Sequence, residues 1–231
     1  MDMQTHSTFS DGRDSIADNV AAAERAGISR LTCTDHVRRD TDYLPDYVAE
    51  IRRVREGTDV EITCGIEAKV LDTSGALDVP DELPDGIEAL YAADHQVATP
   101  DGPRKPDEIK ERIESGELEA GQVLEWIVGA TEATVRRYDA VVICHLFSVL
   151  PKLGIAEDDV PLELIESLAD AAAERGAKIE IDERWSCPSA RTIRPFVERG
   201  VPLFLSTDSH RSDTIGRYEY ALEVLRELSD Q

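Results

Sequence analysis

Short apolar runs alternate with longer amphipathic stretches along the chain. The apolar runs are rich in Val and Ile, which is typical of strands buried on both faces, and we predict strands at residues 1–5, 30–34, 60–71, 87–94, 140–145, 177–182 and 201–206. Apolar positions between them recur at helical spacing, and we predict helices at residues 14–26, 43–56, 120–137, 161–175, 189–198 and 216–229. This alternation predicts an α/β fold with a parallel sheet, and closure of the sheet into a barrel buries every strand.

Two stretches interrupt the alternation. Residues 72–85 are rich in Asp, Pro and Gly and are predicted to form a loop. Residues 99–116 carry Pro100, Pro103 and Pro106 beside the basic pair Arg104-Lys105. We predict a surface loop for the second stretch as well, with a lid over a site as the alternative, since long loops are often only connections.

The charge balance limits the partners. The 231 residues include 25 basic and 48 acidic side chains, which gives a net charge of −23. This argues against a broad basic face for long nucleic acid or an anionic membrane. A small phosphorylated substrate stays compatible, because a bound metal ion can reverse the field inside a cleft. The acidic, lysine-poor composition is typical of solubility in a very salty cytosol, so we predict a halophilic source.

The cysteines and the first residues indicate the compartment. The four cysteines have no CxxC spacing and fall mostly within apolar runs, which favours a reducing environment. Residues 1–4 lack the basic and apolar regions of a signal peptide, and no run approaches the ~20 apolar residues of a membrane span. We therefore expect a cytoplasmic protein that does not bind membranes, with free thiols at Cys33, Cys64, Cys144 and Cys187.

Every histidine lies at the C-terminal end of a predicted strand or a few residues beyond it: His6, His36, His95, His145 and His210. Glu67 and Asp208 occupy similar positions. In a parallel barrel these strand ends form one face, where active sites are built. One such histidine is usually structural, but five at equivalent positions favour a shared site. Imidazole and carboxylate together suit Zn, Mn or Fe, so the sequence predicts a metal cluster in the barrel mouth.

The N-terminal segment, residues 2–12 (DMQTHSTFSDG), resembles the opening motif of the PHP (polymerase and histidinol phosphatase) superfamily, which usually reads D-L-H-x-H-S-x-x-S-D-G. Further motifs follow in the family's order: Thr34-Asp35-His36, Gly65-Ile66-Glu67, the strand-end His95 and His145, and Ser206-Thr207-Asp208-Ser209-His210. Each motif alone is weak evidence. Together, ordered along successive strand–helix units over residues 2–210, they are specific.

The resemblance implies a fold and a set of ligands. The fold is a distorted (β/α)7 TIM-like barrel, formed by a single PHP-type domain over residues 1–231, with the metal site at the C-terminal ends of the strands. The site holds two to three divalent ions, which are Zn, Mn or Fe, with Mg as an alternative. The implied ligand sets are His6, Glu67 and Asp208 with residue 4, then Glu67, His95 and His145, and finally Asp11, His36 and His210.

Position 4 departs from the family pattern. The family usually has His there, whereas this chain has Gln4. An amide oxygen binds metals more weakly than imidazole does. We therefore expect the first site to be weakened, shifted toward Mn or Mg, or empty, or else Gln4 to lie outside the ligand set of an active enzyme.

The resemblance implies hydrolysis of a small phosphate ester, such as histidinol phosphate or a nucleotide, by metal-activated water. Glu67, Asp208 and His210 are the expected catalytic residues, with Asp208 or a histidine passing the proton to the leaving group. Arg184 and Arg211 follow predicted strand ends and are expected to bind phosphate.

Two other functions stay open. One is an amidohydrolase-type barrel enzyme, in which Lys69, on the same face as Glu67, would bridge two metals. The other is a catalytically weakened metal-binding module, which only Gln4 supports. Among the neighbouring residues, Asp35 is predicted to hydrogen-bond rather than ligate, and Cys144 to face away from the site. Trp185 is a candidate for stacking on a substrate ring.

Overall fold

The structure is a computed structural model that describes residues 1–230. The strands are β1 (Asp2–Thr5), β2 (Arg30–Cys33), β3 (His36–Val37), β4 (Glu61–Lys69), β5 (Ala89–Ala93), β6 (Val97–Thr99), β7 (Gly102–Arg104), β8 (Val142–Ile143), β9 (Lys178–Asp182) and β10 (Leu203–Ser206). The helices are α1 (Ile16–Arg25), α2 (Leu44–Arg55), α3 (Pro106–Glu114), α4 (Ala120–Arg137), α5 (Leu150–Leu153), α6 (Leu162–Arg175), α7 (Ala190–Glu198) and α8 (Tyr220–Ser229).

Seven strands form a nearly closed parallel barrel. Their order is β1-β2-β4-β5-β8-β9-β10, and the short β3 pairs with β4 beyond the end of β2. A parallel bridge between Thr5 and Ser209 brings the two outer strands together. The predicted α/β fold, a distorted (β/α)7 TIM-like barrel, is confirmed. All the C-terminal strand ends therefore lie on one face of the molecule.

The helices cover the outside of the barrel through apolar stripes. On α6 the buried residues Ile165, Leu168 and Ala172 recur at helical spacing and face the core. This helix ends at Gly176, whose φ of 65° is a left-handed conformation that glycine adopts at little cost. Truncating a fully buried residue such as Leu168 to alanine costs about 2–5 kcal/mol. The helical layer thus holds the strand ends in place.

The prediction of a loop over residues 99–116 was wrong. Strands β6 and β7 form an antiparallel hairpin, and α3 follows it. Two of the prolines stand where regular structure accepts them, since Pro100 lies in the hairpin turn and Pro106 is the first residue of α3. The buried Ile109 anchors α3 to the core. By contrast, residues 72–85 contain no strand or helix, as predicted.

Within residues 1–230, no helix combines the length and the apolar character that crossing a membrane requires.

Candidate metal centre

Glu67 lies at the centre of the strand-end face and contacts four histidines. Its Oε1 is 3.1 Å from His95 Nε2 and 3.0 Å from His145 Nε2. Its Oε2 is 3.2 Å from His6 Nε2 and 3.1 Å from His36 Nδ1. Glu67 is 1% exposed, so this carboxylate is shared between two histidine pairs inside the protein.

The remaining predicted ligands extend the cluster on the His6 and His36 side. Asp208 Oδ1 lies 2.9 Å from His6 Nε2. Asp11 Oδ1 lies 3.4 Å from His36 Nε2 and 3.2 Å from His210 Nε2. The eight predicted His, Asp and Glu ligands therefore form one continuous cluster, in overlapping groups whose donor atoms lie within 4.8 Å of one another.

These separations fit shared divalent ions. Two donors about 2.1 Å from a tetrahedral ion stand roughly 3.4 Å apart, close to the separations observed here. Several donor atoms, among them His6 Nε2, Glu67 Oε2 and Asp208 Oδ1, are buried and face only other ligand candidates, at 2.9–3.2 Å. Buried polar atoms need partners, and these atoms have none outside the cluster among the described residues. Both observations suit a site that holds metal.

The electrostatics of the metal-free cluster point the same way. Burial lowers the pKa of His6, but the hydrogen bonds and charges of Asp208 and Glu67 outweigh it and raise that pKa to about 10. Burial also lowers the pKa of His36. The charge of Glu67 and the hydrogen bonds of Asp11 and Glu67 outweigh this effect and raise that pKa to about 9. Protons on these imidazoles thus balance the carboxylates until cations replace them.

Gln4 is fully buried, and neither atom of its amide group has a hydrogen-bond partner among the described residues. Strand β1 has a bulge at this position. Asp2 pairs with Leu31 and Thr5 pairs with Cys33, so β1 contains one more residue than β2 between the two pairs. Bulges of this kind re-aim side chains next to active sites. Its buried, unpartnered amide is available to a metal ion or to a metal-bound water.

A tight turn after β1 carries His6 and Asp11. The buried Asp35 carboxylate accepts hydrogen bonds from the backbone N–H and the hydroxyl of both Ser7 and Ser10, at 2.6–3.0 Å. Gly12 closes the turn so tightly that a Cβ there would lie 2.4 Å from the carbonyl carbon of His6. The hydrogen-bonding role predicted for Asp35 is confirmed, and it fixes the turn that aims two of the ligand candidates.

Three residues, Glu180, Asp94 and Trp185, make contacts around the cluster that were missed from the sequence. Glu180 Oε1 accepts the backbone N–H of His145 at 2.7 Å. Asp94 Oδ1 lies 3.5 Å from His145 Nδ1 and accepts the Ser148 hydroxyl at 2.6 Å. Trp185 Nε1 donates to Asp208 Oδ2 at 3.0 Å. For Asp94 a signal was present, since an acidic residue precedes His95 as Asp35 precedes His36.

The expectation that Cys144 faces away from the site was wrong. Its Sγ lies 3.9 Å from Glu67 Oε1 and 3.1 Å from the carbonyl oxygen of Ala92. Simple strand alternation does not apply here, because β8 ends at Ile143 and His145 has a φ of 41°. Cys144 is therefore buried, as expected, but it lies next to the Glu67 carboxylate.

The two predicted phosphate-binding arginines differ in position. Arg184 Nη1 lies 3.3 Å from Asp208 Oδ2 and also contacts the His210 ring, so its guanidinium adjoins the cluster. Arg211 pairs with Asp213 at 2.8 Å and 3.0 Å and is exposed. Both line a cavity of about 330 Å³ together with Asp208, His210 and Arg217; we call it the β10 cavity. Only Arg184 is brought next to the ligand candidates.

A second cavity also borders the cluster. It has a volume of about 470 Å³ and is lined by Asp11, His36, Glu67 and His95, with Arg38 and Lys69 further out. We call it the β4 cavity. The cluster therefore borders two open spaces, each lined in part by basic side chains.

Fold and site together define a TIM-like barrel protein with a buried histidine–carboxylate cluster at its strand ends. Sequence comparison matches residues 2–184 to the PHP domain, and the chain belongs to that family. The ligand candidates Asp208 and His210 lie after the matched stretch, just beyond β10, the strand that completes the barrel.

Similar proteins carry phosphatase names. A probable phosphatase of Caldanaerobacter subterraneus is 24% identical over 99% of this chain and 83% of its own. A probable histidinol-phosphatase of Deinococcus radiodurans is 25% identical over 90% of this chain and 85% of its own. The crystal structure of histidinol phosphate phosphatase from Lactococcus lactis, complexed with zinc, L-histidinol and phosphate, superposes with a TM-score of 0.71. It is 18% identical, over 99% of this chain and 92% of that one, and this likeness shows the fold.

Proposed function

We propose that this protein is a metal-dependent phosphoesterase that hydrolyses a small phosphate ester. The observation that carries the proposal is the buried Glu67 carboxylate, each of whose oxygens faces two histidines. A carboxylate in that position suits a bridge between two divalent ions. The phosphatase names of the relatives and the zinc and phosphate in the Lactococcus structure support the same chemistry.

When bound, paired divalent ions lower the pKa of a bridging water and supply a hydroxide at neutral pH. Glu67 would be shared by two ions. His6 and Asp208 would complete the ligand set of one ion, and His95 and His145 that of the other. Asp11, His36 and His210 would hold a third. The proposed metals are Zn, Mn or Fe, with Mg as an alternative, and Gln4 makes the His6 set the weakest of the three.

Other residues would position the ester and move the proton. Arg184 adjoins Asp208 and His210, so its planar guanidinium is placed to bind two oxygens of the phosphate. Asp208 and His210 lie beside that position and are the candidates for passing a proton to the leaving oxygen. Arg211 would act from farther out, because Asp213 already occupies its guanidinium.

The proposed substrate is small. The two cavities have volumes of about 330 and 470 Å³, the size of ordinary small-molecule sites. The acidic composition favours a compact phosphate ester over long nucleic acid. Among the rival functions, an amidohydrolase with a bridging lysine gains no support, because Lys69 Nζ lies 3.9 Å from Asp78 and the Glu67 neighbours are histidines.

The same observations support two wider proposals. We propose one PHP-type domain over residues 1–231, since β10 pairs with β9 and bridges to β1 beyond the matched stretch. A reducing cytoplasm, in a halophilic cell, is the proposed location. Four buried cysteines, all of them free, agree with a reducing compartment.

The test is release of inorganic phosphate from phenyl phosphate by the intact chain. The protein is stripped with a chelator, dialysed and reloaded separately with Zn or Mn. Activity that disappears with the metal and returns with it supports the proposal. Hydrolysis of an aryl amide instead would favour the amidohydrolase, and tightly bound metal without turnover of either substrate would favour a weakened module.

A further inference from the structure

The β4 cavity has an unexpected charge for this chain. Acidic residues outnumber basic residues almost two to one in the sequence. Apart from the ligand candidates, however, the charged side chains that line this cavity are Arg38 and Lys69, both cationic. The other lining side chains there are hydroxyls and one valine, including Thr41 and Tyr43. Arg38 and Lys69 therefore form a small cationic patch beside the cluster, on the surface of a strongly acidic protein.

Both cations are available to a ligand. Lys69 follows Glu67 by two residues on β4, so the two side chains share a strand face. The Lys69 side chain is 24% exposed. Its Nζ lies 3.9 Å from Asp78 Oδ2, which is a weak ion pair. Within residues 1–230, Arg38 forms no ion pair at all. Charges without close partners gain most from binding an anion.

If the ester is hydrolysed at this cluster, one cavity would hold the phosphate and the other would hold the leaving group. Arg184 borders the β10 cavity and touches Asp208 and His210, so a phosphate bound by Arg184 would lie at that part of the cluster. The rest of the ester needs an open space that also reaches the cluster. The larger β4 cavity is such a space, because His36, Glu67 and His95 line it.

We propose that the β4 cavity is the leaving-group pocket and that Arg38 and Lys69 select a leaving group with a negative charge of its own. The anion is a carboxylate or a second phosphate, either of which these two cations can bind. This inference rests on the proposed phosphoesterase function. Water adds to phosphorus, the ester P–O bond breaks, and the alcohol oxygen takes a proton, which yields inorganic phosphate and an anionic alcohol.

The proposed pocket implies a different leaving-group preference from that of one structural relative. The Lactococcus enzyme was crystallised with L-histidinol, whose amine is cationic at neutral pH. Arg38 and Lys69 would repel such a group. The inferred specificity therefore predicts that a cationic leaving group is a poor substrate for this chain.

A matched series of esters tests the inference. The metal-loaded chain is assayed with phenyl phosphate, 4-carboxyphenyl phosphate, 1,4-phenylene bisphosphate and 4-(2-aminoethyl)phenyl phosphate. We expect kcat/KM for the carboxylate or the bisphosphate to exceed that for phenyl phosphate roughly tenfold, as hydrogen bonds between charged groups allow. The aminoethyl ester should fall below phenyl phosphate. A preference for only one of the two anions would identify which group the pocket takes.

Variants of the two basic residues test whether the preference for anionic esters arises in the β4 cavity. Lys69→Met and Arg38→Gln should each reduce the ratio of kcat/KM between charged and neutral esters, through KM. Arg39→Gln is the matched control, since Arg39 is exposed on the same segment and does not line the cavity. Intrinsic ester reactivity cancels, because each ratio is compared between variants. High salt should weaken the preference by screening.

The outcomes separate the two claims. Equal kcat/KM for the neutral and anionic esters, or ratios unchanged in both pocket variants, would overturn the inference and leave the phosphoesterase intact. Failure of the metal-loaded chain to hydrolyse any of the four esters would overturn the proposed function and the inference with it.

Discussion

The indole N–H of Trp185 donates a hydrogen bond to Oδ2 of Asp208 at 3.0 Å. This bond leaves Oδ1 facing His6 Nε2 at 2.9 Å, with no other hydrogen-bond partner among the described residues. The ammonium of Lys152 lies 4.2 Å from the centroid of the Trp185 ring and helps to hold it through a cation–π contact. Trp185 therefore orients a ligand candidate through its indole N–H.

We predict that Trp185→Phe weakens metal binding about 10–100-fold, the usual effect of removing a hydrogen bond to a metal ligand. The phenyl ring keeps most of the packing while the N–H donor is lost. Competition with a metal indicator measures the affinity without reference to turnover. Trp126→Phe on α4 is the control, because Trp126 packs against the core away from the cluster. Equal affinities in the two variants would show that the Trp185 bond does not orient Asp208.

The ligand candidates were predictable, while the groups that orient them were not. His6, His36 and Glu67 carry their signal in the sequence, since each stands at the end of an apolar run. Trp185 contacts Asp208 where the backbone turns sharply, since Asp208 has a φ of 44° and Ser186, next to Trp185, has a φ of 50°. No apolar periodicity encodes such a turn.

A similar limit explains the error at residues 99–116. Pro100 and Pro106 looked like loop residues, yet proline is compatible with a hairpin turn and with the first turn of a helix. The core contact of Ile109, which stabilises α3, depends on tertiary packing that a local pattern does not reveal. Likewise, the side of the strand on which Cys144 lies depends on the unusual backbone at His145.

Gln4→His should restore a stronger ligand at the first position. We expect the number of tightly bound ions per chain to rise, or the affinity of the weakest ion to increase, because imidazole is the better donor for Zn. Elemental analysis after passage over a chelating resin measures both. Gln4→Leu, of similar size but without donor atoms, is the comparison. If the three proteins retain the same metal content, residue 4 contributes nothing to the centre.

Asp35→Asn should loosen the turn that carries His6 and Asp11. The carboxylate accepts four hydrogen bonds from Ser7 and Ser10, and an amide cannot accept all of them. We expect a loss of about 2 kcal/mol in the free energy of unfolding of the metal-free protein. Urea denaturation provides the measurement. A loss below about 0.5 kcal/mol would show that this network does not hold the turn.

Metal affinity should fall as the pH is lowered. In the metal-free protein the pKa of His6 is raised to about 10 and that of His36 to about 9, so both imidazoles hold protons at neutral pH. A cation must displace those protons, and lower pH opposes its binding. Calorimetry in buffers of different ionisation enthalpy should detect about one proton released for each of these histidines that is ligated. Binding heats that do not depend on the buffer would contradict this assignment.

The most direct test of the central claim is the metal content of Glu67→Gln, measured by elemental analysis beside Glu61→Gln, an exposed position on the same strand. Glutamine keeps the shape of Glu67 but removes its charge and one of its two acceptor oxygens. We predict two to three ions per chain in the parent protein and in Glu61→Gln, and the loss of at least two of them from a folded Glu67→Gln. Full metal occupancy in Glu67→Gln would contradict a bridging role for this carboxylate and the metal centre built around it.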